Sequence, residues 1–284
     1  MFGLNRREFL VGLGSAVACG CRGLERETIP RISVFSLYIG WAAKLHGVSE
    51  EEIAARMLAH GVTGIDAEDS EVERVRRLCG RGMELVNMYG FIHFLDAEKS
   101  KRESERFLSA AIDCKAPRMM VIPDDLPDTG DRERALDRIA AGLADFTATA
   151  KREGIETNIE DFGSSKSPCA RISCMKRMFE ASADLGFVID TGNFFHAGCG
   201  DDILDAFRSF RSRIRHVHLK DRPKGAPRGY APLGTGCIPN EEIVKDLAAD
   251  GYRGWFTLEE AGAKDIARAT YDAAEVLGLW LRKG

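Results

Sequence analysis

A closed barrel of eight β/α units is the fold this sequence predicts, and three observations predict it. Short apolar runs alternate with amphipathic stretches from Arg31 onward, the runs number eight, and no internal linker rich in Pro, Gly or Ser divides them. The 284 residues fit such a design, since α/β barrels commonly run to about 250 residues as one domain. A doubly wound open sheet is the alternative, but no GxGxxG follows any early strand.

Composition narrows the functional classes. Forty Lys and Arg stand against 44 Asp and Glu, giving a formal charge of −4, and 44% of residues are hydrophobic. Mixed charges and ordinary apolar content exclude disordered and collagen-like chains. A slightly acidic chain also lacks the basic footprint that phosphate backbones demand, so no nucleic-acid partner is expected.

Taken in order, the first element is a targeting segment. Asn5-Arg6-Arg7-Glu8-Phe9-Leu10 is a twin-arginine pattern, and the apolar run from Phe9 to Ala18 behind it contains Gly12 and Gly14. At about 1.5 Å per residue that run is too short to span a bilayer. Ala16-Val17-Ala18 supplies a small-x-small cleavage site, which places the mature start near Cys19. Residues 1–28 are thus expected to be a signal peptide with a short linker, and residues 29–284 the barrel. The expected location is periplasmic or otherwise extracytoplasmic. A membrane partner arises only if Cys19 or Cys21 is lipidated, and the Leu expected three residues before a lipidated Cys is missing. The remaining cysteines, Cys79, Cys114, Cys169, Cys174, Cys199 and Cys237, form no CxxC pair, so packed thiols are expected over a zinc-thiolate site. The sequence leaves open whether Cys169 and Cys174 are bridged, and a homo-oligomer is compatible with it.

Eight strands follow: Ile32–Tyr38, Gly64–Ala67, Glu84–Tyr89, Met119–Ile122, Ile155–Glu160, Phe187–Asp190, Ile214–Leu219 and Phe256–Glu259. Between them lie helical patterns such as Arg134–Arg152, where Leu136, Ile139, Leu143 and Phe146 recur at helical spacing before Gly154. Strand residues alternate between the barrel interior and the helices, and barrel chemistry sits at the strand C-terminal ends. In the fifth strand Ile155, Thr157 and Ile159 share one face, so Glu156, Asn158 and Glu160 share the other and Glu160 reaches the mouth. Phe187 and Ile189 send Asp190 to the mouth of the sixth. Val217 and Leu219 turn His216, His218 and Lys220 inward in the seventh, while Phe256 and Leu258 leave Glu259 ending an interior face in the eighth.

Glu160, Asp190, His218 and Glu259 therefore converge from four consecutive strands. Three carboxylates crowded in a partly dry site repel one another unless a cation neutralises them. One divalent metal satisfies the set, and its oxygen-rich ligation suits Mn, Mg or Co, with Zn as a further option.

The motifs Asn158-Ile-Glu160, Val188-Ile-Asp190-Thr-Gly-Asn193, His216-Val-His218-Leu-Lys-Asp221 and Gly251-Tyr-Arg-Gly-Trp-Phe-Thr-Leu-Glu259 resemble those of the xylose-isomerase-like barrels. That superfamily includes sugar isomerases, ketose 3-epimerases, hydroxypyruvate isomerase, inosose dehydratase and apurinic-site endonucleases. The resemblance covers residues 31 to 282 and implies that the positions matching Glu160, Asp190, His218 and Glu259 bind the metal, with the two glutamates exchanging protons with substrate. Where epimerases usually carry His three residues after the aspartate, this chain has Asn193, and His196 one turn on is the candidate replacement. The multi-histidine set of the endonucleases is not recognisable.

Around the mouth, His93 follows the third strand where relatives often place a substrate contact, and His216 and Lys220 share the interior face of the seventh. Trp41 offers a surface for stacking on a sugar. The stretch Arg222–Gly236 is punctuated by Gly and Pro, which suggests a functional loop. The expected activity is a metal-dependent isomerase or epimerase acting on a sugar, keto-sugar or polyol through an enediolate. A dehydratase or lyase at the same site is the nearest rival, and a non-catalytic carbohydrate-binding barrel is the rival of another class.

Overall fold

The computed structural model describes residues 30–226 and 229–282. The twin-arginine pattern, the cleavage site at Ala18 and both Cys19 and Cys21 lie outside the described residues. Eight parallel strands close in sequence order: β1 (Arg31–Phe35), β2 (Val62–Glu68), β3 (Glu84–Ile92), β4 (Arg118–Pro123), β5 (Glu156–Glu160), β6 (Gly186–Asp190), β7 (Ile214–Leu219) and β8 (Trp255–Leu258). Ten helices among the described residues connect them: α1 (Ser36–His46), α2 (Glu50–Ala59), α3 (Val72–Cys79), α4 (Ala97–Asp113), α5 (Arg132–Arg152), α6 (Ile172–Ala181), α7 (Asn193–Ala197), α8 (Ile203–Phe210), α9 (Asn240–Ala249) and α10 (Ile266–Arg282). None of these helices is long and apolar enough to cross a membrane.

The first strand is shorter than the sequence suggests. β1 stops at Phe35, and Ser36, Leu37 and Tyr38 already belong to α1. The cause is an apolar run that serves both periods. Tyr38, Ile39, Ala42 and Ala43 bury a helical face, and the Ser36 hydroxyl donates to Glu71 Oε2 at 2.5 Å instead of facing a strand neighbour. At α5 the difference is small and has a local origin. Asp131 accepts a hydrogen bond from Arg134 N at 3.0 Å, so the helix starts two residues before Arg134. Leu136, Ile139, Leu143 and Phe146 are buried as their spacing implies. Cys169 and Cys174 are both free thiols.

The barrel interior sets the depth of every functional side chain. At its floor the Trp255 ring of β8 reaches β2, where a Cβ on Gly64 would come within 2.6 Å of that ring and 2.8 Å of Val86. Gly64 is therefore needed for close approach across the barrel. Above the floor lies a fully buried polar layer of Ser33, Asp66, Asn87, His216 and Thr257. The strand ends above this layer form the mouth.

Candidate metal centre

Strand register brings the mouth residues together. Asp190 on β6 pairs in register with His218 on β7, and His218 with Thr257 on β8. Glu259 lies one residue past β8, yet its amide still donates to Leu219 O at 2.8 Å, so the ladder carries its side chain inward. One ligand atom from each of Glu160, Asp190, His218 and Glu259 lies within 4.8 Å of the others. His218 Nδ1 is 2.5 Å from Glu160 Oε1 and 3.4 Å from Glu259 Oε1. Lys220 Nζ is 2.6 Å from Glu259 Oε2 and 2.8 Å from Asp190 Oδ2.

Backbone geometry holds these groups in place. Asp190 Oδ1 accepts from Gly192 N at 2.8 Å and Asn193 N at 3.0 Å, at the start of α7. Its own amide donates to the buried Asp161 carboxylate at 2.7 Å, and Asn193 Nδ2 donates to Asp161 O at 2.6 Å. A Cβ on Gly192 would sit 2.5 Å from Lys220 Cγ, so glycine there opens the path by which Lys220 reaches the carboxylates.

The electrostatics report a strained charge balance. Burial pushes Asp190 up to about 7, Lys220 opposing that rise and Glu259 and Glu160 adding to it. Glu259 is lowered to about 2 even though burial opposes ionisation, because Lys220 and then His218 hold its charge. The two acids move apart although they share Lys220, since the imidazole of His218 also hydrogen-bonds Glu259 and acts on Asp190 only through its charge. Burial disfavours charge on His218, but Glu160 and Asp66 outweigh it and raise its pKa. Asp161 is raised strongly by burial and by Asp190. A set of three carboxylates and one imidazole converging within a few ångströms, balanced by one lysine, matches the donor chemistry of a divalent ion. The side-chain cluster thus fits the metal expected from the sequence.

Beside this centre is a cavity of about 230 Å³ lined by Glu160, Asn193, Lys220 and Glu259 on its polar side. Its other side is apolar and aromatic, from Phe35, Tyr38, Tyr89 and Phe162 with Leu37, Met120 and Ile122. Burial raises the pKa of both tyrosines, keeping them neutral. A larger cavity of about 460 Å³ lies at the opposite end of the strands, among Pro30, Arg31, Tyr252 and Trp280, with no carboxylate in its lining.

The remaining sequence candidates fall at different depths. Asn193 and Lys220 line the mouth cavity. His216 does not; it is fully buried two residues deeper on β7, with Nε2 2.9 Å from Asp66 Oδ2 and Nδ1 3.3 Å from Arg118 Nη1. At about 3.3 Å per residue that step removes it from the cavity. His93 is held by Glu103 of α4, which accepts from its amide at 2.8 Å and lies 2.9 Å from its Nδ1. Trp41 is 54% exposed and packs with its ring tilted by 32° at 5.1 Å from Tyr38, which lines the cavity while Trp41 does not. His196 lies on α7 beside Gly163, outside the cavity lining. The Gly- and Pro-rich loop after β7 is tied down by Asp221, whose carboxylate accepts from the amides of Arg222, Gly234, Gly236 and Ile238. Sequence reasoning passed over Asp66, although Ile65 and Ala67 flank it on the outward face of β2 as the alternation requires.

Comparison with known proteins follows the same lines. A family profile described as "Xylose isomerase-like TIM barrel" matches residues 39–283. A protein of Erwinia tasmaniensis named inosose dehydratase is 25% identical over 222 residues, 66% of this chain and 72% of that one. Among solved structures, a D-tagatose 3-epimerase-like protein superposes with a TM-score of 0.69 at 16% identity, covering 89% of this chain and 97% of the other. A structure described as IolI protein with a bound zinc atom gives 0.68 at 10% identity, over 89% and 98%.

Proposed function

The chain belongs to the xylose isomerase-like TIM barrel family, and from that premise we propose that it is a divalent-metal-dependent isomerase or epimerase of a sugar, keto-sugar or polyol. The observation that carries this reading is the convergence of Glu160, Asp190, His218 and Glu259 within 4.8 Å, next to a cavity of small-molecule size. Such an ion, Mn, Mg, Co or Zn, supplies Lewis-acid charge against the oxyanion that develops when a C–H beside a carbonyl is broken. Glu160 and Glu259 both border the cavity and exchange the proton. Lys220 keeps Glu259 ionised and so competent to accept one. Asn193 and Lys220 bind substrate hydroxyls. Phe35, Tyr38, Tyr89 and Phe162 pack against the apolar face of the ring and exclude water from the carbanionic carbon.

A second reading, dehydration of a cyclic ketone at the same site, is favoured by the relative named inosose dehydratase. Both begin with the same proton abstraction and differ in whether a hydroxyl leaves. Residues 1–28 direct export in this proposal, so the substrate is extracytoplasmic. The test is NMR of inososes and ketohexoses incubated with the Mn-loaded protein in D2O. An isomer or epimer deuterated beside the carbonyl supports the first reading, an enone or enediol product the second. If no candidate yields deuterium incorporation or a dehydrated product with metal bound, both readings are contradicted.

A further inference from the structure

Beneath the metal-ligand set, the buried polar layer of β2, β3, β7 and β8 converges on one carboxylate. Asp66 Oδ2 accepts from Asn87 Nδ2 at 2.8 Å and faces His216 Nε2 at 2.9 Å and His218 Nε2 at 3.1 Å. Its Oδ1 accepts from Thr257 Oγ1 at 2.8 Å. Asp66, His216, His218 and Thr257 are all fully buried. A carboxylate surrounded by donors is anionic and only accepts, so each nitrogen facing it carries a proton. For His216 a second contact settles the same tautomer, because the Arg118 guanidinium can only donate to Nδ1 at 3.3 Å. The trio of Asp66, His216 and His218 is therefore a satisfied hydrogen-bond network, with Arg118 disfavouring any cation added to it.

The consequence falls on His218. Its Nε2–H is committed to Asp66, so the proton given up to an ion is the one on Nδ1, the nitrogen that faces Glu160 and Glu259, and the lone pair then appears there. We infer that Asp66 is a positioning residue for the metal centre, holding His218 in the Nε2–H tautomer with Nδ1 aimed at the ion. The inference rests on the metal reading of the site. Hydrogen-bonded partners of ligating histidines commonly change metal affinity by about 10–100-fold when removed. Asp66→Asn is the informative variant. Its amide keeps the shape but brings an NH2 among donors, which is relieved if His218 shifts its proton to Nδ1 and offers Nε2 as acceptor.

Two measurements test this on the purified full-length protein with Zn²⁺ as the probe. In the 15N-histidine-labelled, Zn-loaded wild type, NMR should show His218 protonated at Nε2 and unprotonated at Nδ1. Chelator competition should show Asp66→Asn binding Zn²⁺ about 10–100-fold more weakly, while Thr257→Val, which loses its hydroxyl contacts to Asp66 and His216 but no side-chain hydrogen bond to a ligand, stays within about threefold of wild type. Loss of affinity in both variants alike would indicate a general structural role and overturn the inference, as would unchanged affinity in Asp66→Asn. Should Asp66→Asn fail to fold, an Nδ1–H tautomer in the wild type still overturns it. A wild type whose His218 signals do not respond to Zn²⁺ overturns the metal reading as well, which separates the two failures.

Discussion

Lowering the pH should weaken metal binding steeply, and the slope follows from two groups in the site. In the metal-free protein His218 is raised above its ordinary value by Glu160 and Asp66 against the pull of burial, and Asp190 is pushed up to about 7 mainly by burial. Both must be deprotonated to act as ligands, so metal and protons compete and affinity rises with pH. Below about pH 7 Asp190 releases a proton on binding, giving up to about a tenfold change in Kd per pH unit, and His218 adds to the slope in the same direction wherever it is protonated. Between pH 7 and pH 6 the Asp190 share alone is about fivefold, roughly 1 kcal/mol at 1.4 kcal/mol per tenfold step. Titration of Mn²⁺ or Zn²⁺ against a chelator of known pH dependence, at fixed ionic strength, measures the slope. Calorimetry in buffers of different ionisation enthalpy counts the protons. A Kd that changes by less than about threefold between pH 6 and pH 7 would refute the coupling of Asp190 to the ion.

Three further outcomes are expected. Glu160→Gln and Glu259→Gln keep an oxygen donor but cannot accept a proton, so each should retain metal while turnover falls by about 10²–10⁴-fold; near-wild-type rates with metal bound would leave that glutamate a ligand only. Lys220→Met strips Asp190 and Glu259 of their shared cation, and breaking such a buried pair costs about 3–5 kcal/mol, read as a lower Tm of the metal-free protein that Mn²⁺ partly restores; an unchanged Tm would show that Lys220 is dispensable to the charge balance. Arg6→Lys with Arg7→Lys should leave the precursor in the cytoplasm, assayed by fractionation and N-terminal mass spectrometry, and undiminished export would refute the twin-arginine reading.

The mouth cluster was legible because strand alternation has a period of two and an apolar outer face fixes the inner one. Ile159 places Glu160, Ile189 places Asp190, and Val217 with Leu219 places His218 without any knowledge of partners. The same rule applied to Ile65 and Ala67 exposes Asp66, but its meaning depends on His216 and His218, about 150 residues away in sequence. Depth was harder to read than direction. His216 and His218 share one face, yet one residue pair along the strand separates a ring locked to Asp66 and Arg118 from one that meets the carboxylates. The end of β1 was illegible for a different reason: Ser36 to Tyr38 satisfy both a strand and a helix, and only burial of the α1 face that carries Tyr38 and Ile39 decides. The aromatic wall of Phe35, Tyr38, Tyr89 and Phe162 comes from β1, α1, β3 and the segment after β5, and no local pattern announces such an assembly.

The central claim is that one divalent ion sits among four strand-end ligands, and anomalous diffraction from crystals grown with Mn²⁺ addresses it directly. A single strong peak bonded to Glu160, Asp190, Glu259 and His218 Nδ1 is expected, with none beside Asp66 and His216. A peak in the Asp66–His216 layer, or an ordered mouth with Lys220 still bridging Asp190 and Glu259 and no peak at saturating Mn²⁺, would contradict it.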